Sequence, residues 1–213
     1  MSDIFREIDE ELRRDNFLKL WQRHGKYLIA LAAALVVATA LYVGWRQYQL
    51  RQSQAEGVRF AAALDLAHQG KGKEAADAFA AMAQGSSAGR AVLARLEEAA
   101  AKAKDGDRNG AIAIYDEITS DSSAGPIYRN VATLLAARFQ VDTDPKAAIE
   151  QLKPLTDADN AWHSSALELT AIAQLKEGDN TAARATYQKI ADDLTAPQGA
   201  RARAAEMVTA LSQ

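Results

Sequence analysis

The sequence predicts an all-α protein: one membrane-spanning helix near the N-terminus, then an α-solenoid of about four helix pairs and a C-terminal capping helix. Three observations support this prediction. A stretch of nineteen residues, Tyr27 to Trp45, carries no charge. Alanine, the residue with the highest helix propensity, dominates the rest of the chain, and no window alternates as a half-buried strand does. A pattern of small, turn and large residues recurs about every 36 residues.

The uncharged stretch has the length and the flanks of a transmembrane helix. As a helix it would be about 28 Å long, close to the roughly 30 Å hydrocarbon core of a bilayer. Amphipathic rings favour the headgroup level, and aromatic residues stand at both ends of the stretch. They are Trp21, Tyr27, Tyr42, Trp45 and Tyr48. A buried core helix is one alternative, but no other segment supplies an equally apolar partner.

A cleaved signal peptide is the second alternative for this stretch. Ala38-Thr39-Ala40 has the small-x-small form of a cleavage site. The apolar run continues beyond it through Val43, however, and the preceding segment is long and acidic, unlike a short basic n-region. Its six acids are Asp3, Glu7, Asp9, Glu10, Glu11 and Asp15. The sequence therefore favours a permanent anchor.

The positive charges near the two ends of the stretch predict its orientation. Within fifteen residues on each side, five Lys or Arg residues precede the stretch and three follow it, which favours a cytoplasmic N-terminus. They are Arg13, Arg14, Lys19, Arg23 and Lys26 before it, and Arg46, Arg51 and Arg59 after it. The chain then divides into a cytoplasmic amphipathic tail (1–26), a transmembrane anchor (27–45) and an extracytoplasmic repeat domain (46–213). The apolar face of the tail predicts contact with a cytoplasmic protein or the inner leaflet. That face consists of Ile4, Phe5, Ile8 and Leu12.

The composition argues against several classes of function. The chain has 25 basic and 28 acidic residues, without the clustered basic excess of a nucleic-acid-binding protein. It has no cysteine, which excludes disulfides and thiolate metal sites. The three histidines, His24, His68 and His163, have no metal-ligand spacing, and no phosphate-loop motif occurs. We predict no enzyme activity, no cofactor, no metal and no small-molecule substrate.

Four segments of the chain share one register. Its first small position is Ala63, Ala99, Ala136 and Ala171, and its second is Ala75, Ala111, Ala148 and Ala183. A large apolar residue follows the second position by four residues: Phe79, Tyr115, Leu152 and Tyr187. Between the small positions lies a turn position: Gly70, Gly106, Thr143 and Gly178. Several recurring positions in one register indicate an internal repeat.

Each segment of this register predicts a pair of helices. The small residues allow the helices to cross closely, and glycine permits the left-handed conformation that ends the first helix. Asp107, Asp144 and Asp179 suit the N-terminus of the second helix. One pair cannot bury its apolar face alone, so the pairs must stack, and the segment with Met207, Val208 and Leu211 predicts the capping helix. Because no Pro-, Gly- or Ser-rich linker follows the anchor, the spanning helix is expected to run on into the array.

The register resembles the 34-residue tetratricopeptide repeat, which has small eighth and twentieth positions, a turn residue at the fifteenth and an aromatic at the twenty-fourth. Here these are Ala63, Ala75, Gly70 and Phe79. The fourth position departs from the pattern, since Arg59, Arg95, Ala132 and Leu167 replace the usual aromatic. The whole layout, with an anchor ending in GWRQYQ and an array ending in LKEGDNTAARATYQKI, is similar to the ancillary SecYEG translocon subunit family of bacterial inner membranes. The resemblance implies a protein beside the Sec translocon whose periplasmic domain contacts emerging polypeptides or periplasmic chaperones.

In such arrays the first helices of the pairs line a concave surface that binds partners. The register places ten candidate residues on it: Phe60, Leu64, Leu96, Lys104, Asn130, Thr133, Gln140, Glu168, Ile172 and Lys176. This mixture of apolar and polar side chains suits an extended or helical polypeptide segment. We therefore expect the protein to bind polypeptides or chaperones near the translocon and to assist protein export or folding. The alternative is an adaptor scaffold for envelope assembly or cell division that binds folded partners.

Overall fold

The computed structural model describes the backbone of residues 2–85 and 87–212, and their side chains except those of 2–22, 24 and 88. All the regular secondary structure in this part of the chain is helical. The helices are α1 (Ser2–His68), α2 (Gly72–Gly85), α3 (Ala88–Lys104), α4 (Arg108–Ser120), α5 (Pro126–Gln140), α6 (Pro145–Leu152), α7 (His163–Lys176), α8 (Asn180–Asp192) and α9 (Gln198–Ala210), with a 3-10 turn at Lys153–Leu155. The prediction of an all-α fold is confirmed.

The chain forms two compact units, Met1–Gly57 and Val58–Gln213. The first unit contains the apolar stretch, and the second contains the helix pairs and the final helix. No loop separates the apolar stretch from the first helix of the array, because both belong to α1. The membrane-related boundaries expected at residues 26 and 45 stay predictions.

The apolar part of α1 has the properties of a helix that could span a membrane. The helix from Gly25 to His68 contains an 18-residue window with a mean hydropathy of 2.2, and none of this window is buried. Val36 and Leu41 are 68 % and 70 % exposed, unlike residues of a core helix. The Thr39 hydroxyl donates to the Leu35 carbonyl oxygen at 2.8 Å, which satisfies this polar group inside the helix. A signal sequence meets the same criteria of length and composition.

The predicted apolar face of the N-terminal tail lies outside the described side chains. It consists of Ile4, Phe5, Ile8 and Leu12, and the ring of Trp21 falls in the same group. The contact predicted for this face therefore stays a prediction.

The repeat register coincides with the core of the array. All eight small positions are at most 1 % exposed: Ala63, Ala75, Ala99, Ala111, Ala136, Ala148, Ala171 and Ala183. The large position is also buried in every pair, by Phe79, Tyr115, Leu152 and Tyr187. A methyl group at the helix crossing brings the two backbones close, and the large side chain one turn later fills the space beside it. The four helix pairs predicted from the sequence are confirmed.

Three of the four predicted turns use a left-handed glycine. Gly70, Gly106 and Gly178 have φ values of 79°, 96° and 83°. The third turn differs, because Thr143 has no positive φ. All four turns keep a hydrogen bond from the turn amide to the carbonyl three residues earlier, and they differ at the next amide. The amides of Asp107 and Asp179 reach back five residues, to the carbonyl oxygens of Lys102 and Gln174, whereas that of Asp144 reaches back only four, to the Gln140 carbonyl oxygen at 2.7 Å.

The caps and the final helix also follow the sequence. The side chains of Asp107, Asp144 and Asp179 each accept a hydrogen bond from the backbone amide three residues later, at 2.9, 3.0 and 2.8 Å. Each therefore satisfies one of the free amides at a helix N-terminus. In α9, the predicted face packs against a cluster that includes Leu167 and Tyr187. This face consists of Met207 and Val208, together with Leu211 one residue beyond the end of the helix. The last helix covers the apolar end of the array, as predicted.

Candidate functional site

In the part of the chain that the structure describes, a groove lies on each side of α5, between the first helices of consecutive pairs. The larger one, the α3/α5 groove, has a volume of about 570 Å³. The smaller one, the α5/α7 groove, has about 340 Å³. Leu135 and Arg138 line both grooves. These two residues of α5 therefore form a ridge between the grooves, which we call the α5 ridge.

The walls of the α3/α5 groove are mainly apolar. One wall is a stripe on α3 made of Leu93, Leu96, Ala100 and Ala103. The other is a stripe on α5 made of Ile127, Tyr128, Val131, Leu135 and Phe139. Ile127 is 69 % exposed and Leu93 is 40 % exposed. Contiguous apolar surface left open to solvent is typical of a site that binds a partner.

Tyr115 of α4 lines the same groove with a buried ring. The ring stacks on that of Phe139, with 6.3 Å between the centroids and 6° between the planes. Burial, assisted by the negative charge of Glu97, raises the pKa of Tyr115 to about 12. The hydroxyl therefore stays protonated near neutral pH.

The charged residues of the grooves differ in how they are paired. Lys104 Nζ donates to the Ala67 carbonyl oxygen at 2.6 Å. Glu168 accepts two hydrogen bonds from the Arg203 guanidinium, both at 3.0 Å, and this pairing raises the pKa of Arg203. Arg138, in contrast, is exposed and makes no hydrogen bond or ion pair with any described residue. The α5 ridge thus carries a cation that is free to bind a partner.

Four of the ten residues predicted for the binding surface line these grooves. Leu96 and Lys104 line the α3/α5 groove, and Glu168 and Ile172 line the α5/α7 groove. Leu96 is largely buried and contributes its edge to the wall. The structure thus brings these four residues of α3 and α7 to the two sides of α5.

The other six predicted residues lie away from both grooves. Phe60 and Leu64 pack in the core of the first pair, where the Phe60 ring meets Phe79 edge to face at 5.3 Å. Thr133 is buried, and its hydroxyl donates to the Arg129 carbonyl oxygen at 2.9 Å. The remaining three are Asn130 and Gln140, which are half-buried on α5, and Lys176, whose Nζ lies 2.8 Å from an Asp142 carboxylate oxygen.

The sequence interpretation missed the part of α5 that lines the grooves. It carried the face of α3 onto α5 through the repeat register and so selected Asn130, Thr133 and Gln140. The lining residues of α5 instead follow their own stripe at spacings of three and four, with the free cation Arg138 among them. Tyr128, Val131, Leu135 and Phe139 were the available signal for this stripe, because such spacing places residues on one helical face.

The family model for the tetratricopeptide repeat-like domain matches residues 19–208. The chain belongs to this family. The match includes the apolar stretch of α1 as well as every helix pair of the array. No curated protein and no solved structure matches the chain. Because tetratricopeptide-like domains are protein-binding scaffolds, the two grooves between first helices are the candidate site of this one.

Among the side chains that the structure describes, those of residues 23, 25–85, 87 and 89–212, no group of three or more His, Asp or Glu is placed to hold a metal ion. His163 is engaged locally, with its Nδ1 2.7 Å from the Thr156 carbonyl oxygen. The grooves offer apolar walls, tyrosine side chains and a free guanidinium, which are groups suited to binding a polypeptide.

Proposed function

We propose that the protein is a non-enzymatic, membrane-anchored scaffold that binds polypeptide segments in the α3/α5 groove. The observation that carries this proposal is the groove itself, about 570 Å³ in volume with the exposed apolar side chains of Leu93 and Ile127 at its walls. An extended chain inserting apolar side chains there would remove this surface from water, at roughly 25 cal/mol per Å².

The proposed location is the outer face of a bacterial inner membrane, beside the Sec translocon. The support is the apolar stretch of α1, the bias of positive charge toward its N-terminal side, and the resemblance of the layout to ancillary translocon subunits. In that place the array would hold emerging exported polypeptides, or the periplasmic chaperones that receive them, close to the membrane. Holding either of them near the exit site would raise its local concentration there and so assist export and folding.

Site-specific photo-crosslinking in cells tests what the groove binds. A photoreactive residue at Ile127 lies in the groove, whereas one at Ala113, exposed on α4, lies outside it. We expect many different exported precursors in the Ile127 adducts and few in the Ala113 adducts. Equal yields at both positions would contradict binding in the groove. A single fixed folded partner at Ile127 would instead favour the adaptor function in envelope assembly or division.

Protease access to a C-terminal tag tests the proposed location. In cells with an opened outer envelope and a sealed inner membrane, we expect the tag to be digested. Protection of the tag until lysis would place the array in the cytoplasm and overturn the translocon proposal. The length of α1 in the mature protein, read by mass spectrometry, separates an anchor from a signal sequence cut after Ala40.

A further inference from the structure

The charges around the α5 ridge indicate which polypeptide segments the grooves prefer, an inference that rests on the proposed function. We propose that the preferred ligand is an internal segment in which an acidic side chain lies between two apolar side chains. The carboxylate would bind Arg138, and the two apolar side chains would enter the α3/α5 and α5/α7 grooves.

The position of Arg138 is the first argument. It lines both grooves, and it is exposed without a hydrogen bond or ion pair from the described residues. A guanidinium presents a planar fork of donors that matches a carboxylate, and the bond is charge-assisted on both sides. A ligand that crosses the ridge therefore meets a free cation halfway between two apolar surfaces.

The balance of the surrounding charges is the second argument. The other charged groups of the grooves are Glu97 and Lys104 on α3 and Glu168 on α7. Glu168 is already neutralised by the two hydrogen bonds from Arg203. Glu97 and Lys104 carry opposite charges on the same wall. The charge of Arg138 is therefore left without compensation, which favours a negative group in the ligand.

The continuity of the grooves across the ridge explains why the carboxylate would belong to a side chain. A chain that ended at Arg138 with its terminal carboxylate would fill one groove and leave the other open. An internal acidic residue allows the chain to continue on both sides. Adjacent packed helices lie about 10 Å apart, which an extended chain covers in about three residues. Because successive side chains of an extended chain point to opposite faces, the acid and the two apolar side chains should occupy alternate positions, with the apolar residues four apart, about 13 Å, and the acid midway between them.

Fluorescence anisotropy with the full chain in detergent micelles tests this preference. Three labelled peptides, blocked at both ends, would carry Glu, Gln or Lys between the same two leucines. We expect the Glu peptide to bind about three- to fivefold more tightly than the Gln peptide at low salt, and the Lys peptide to bind most weakly. Arg138→Glu should reverse the order. Arg184→Glu makes the same charge change at an exposed position of α8 outside both grooves, and it should leave the order unchanged.

The outcomes separate the preference from the proposed function. Equal affinities for the three peptides, or an Arg138→Glu protein that behaves like Arg184→Glu, would overturn the acidic preference. The proposed function would still stand if Ile127→Asp weakened all three peptides, since Ile127 is an exposed wall residue whose replacement leaves the core intact. If no peptide bound, or if Ile127→Asp changed nothing, both the groove function and the preference built on it would fall.

Discussion

The apolar stretch of α1 and the core of the array are both rich in alanine, yet their side chains have opposite surroundings. In the stretch, Val36 and Leu41 are more than two-thirds exposed. In the array, Ala99, Ala136 and Tyr115 are at most 1 % exposed. The difference lies in the pattern. Array helices keep their apolar residues on one side and bury them against a neighbouring helix. A helix that is apolar on all sides must instead be surrounded by lipid or by other protein.

Truncating a large side chain should separate the two regions most strongly. Phe79 is fully buried beside Ala75 and Ala76, whereas Leu35 is 61 % exposed in the stretch. We expect Phe79→Ala to lower the free energy of unfolding of the array by about 3–5 kcal/mol, since it leaves a cavity. Leu35→Ala should leave array unfolding unchanged. Both variants of the full chain can be compared by chemical denaturation in detergent, followed by circular dichroism.

The opposite result would break the comparison. If Leu35→Ala destabilised the array as much as Phe79→Ala, the stretch would have to be a packed part of the same cooperative fold. Tyr187→Ala offers a second buried position for the array, in case Phe79→Ala fails to fold.

The same contrast explains how much the sequence could predict. Recurring small and large residues identified the helix pairs and their core, because burial of Ala75 or Phe79 depends on a short-range pattern that every pair repeats. The α5 ridge depends on which side chains α5 turns toward its two neighbouring helices. The repeat register selected Asn130, Thr133 and Gln140 on this helix instead. Thr133 is buried, while Leu135 and Arg138, two and five residues later, line the grooves. Whether Arg138 finds an acid is likewise decided by the packing of distant segments.

The turns provide a sharper test within the array, with a smaller effect. Gly106 has a φ of 96°, where a side chain is disfavoured by about 1–2 kcal/mol. We expect Gly106→Ala to lower the free energy of unfolding by about 1 kcal/mol, measured by denaturation as above. Thr143→Ala occupies the equivalent turn of the third pair, where no left-handed residue is needed, and should cost less. Equal losses at the two positions would mean that the left-handed conformation is not what Gly106 supplies.

Lowering the pH should destabilise the array but not the apolar stretch, and we expect this to be the smallest of the three effects. Four array aspartates have lowered pKa values: Asp107 through the Gly110 amide, Asp121 through the Ser123 hydroxyl, Asp142 through a hydrogen bond from Lys176, and Asp193 through the Thr195 hydroxyl. A carboxyl whose pKa is lower in the folded state contributes stability above its unfolded pKa, near 4, and loses it as the pH falls through the folded value. The apolar stretch contains no Asp, Glu, Lys, Arg or His and should not respond.

The unfolding midpoint of the array should therefore be flat from about pH 7 to 5 and should fall below about pH 4. Glu98 acts in the opposite direction, because burial raises its pKa and its protonation on acidification favours the folded state. The four aspartates and Glu98 therefore act in opposite directions, and we expect the slope to follow the four aspartates. Asp142→Asn removes the partner of Lys176 and should begin less stable at neutral pH but lose less on acidification. If acid lowered the unfolding midpoint equally in Asp142→Asn and in the original chain, this carboxylate would contribute nothing to the acid sensitivity of the array. If acid also weakened membrane association, the apolar stretch would depend on the array.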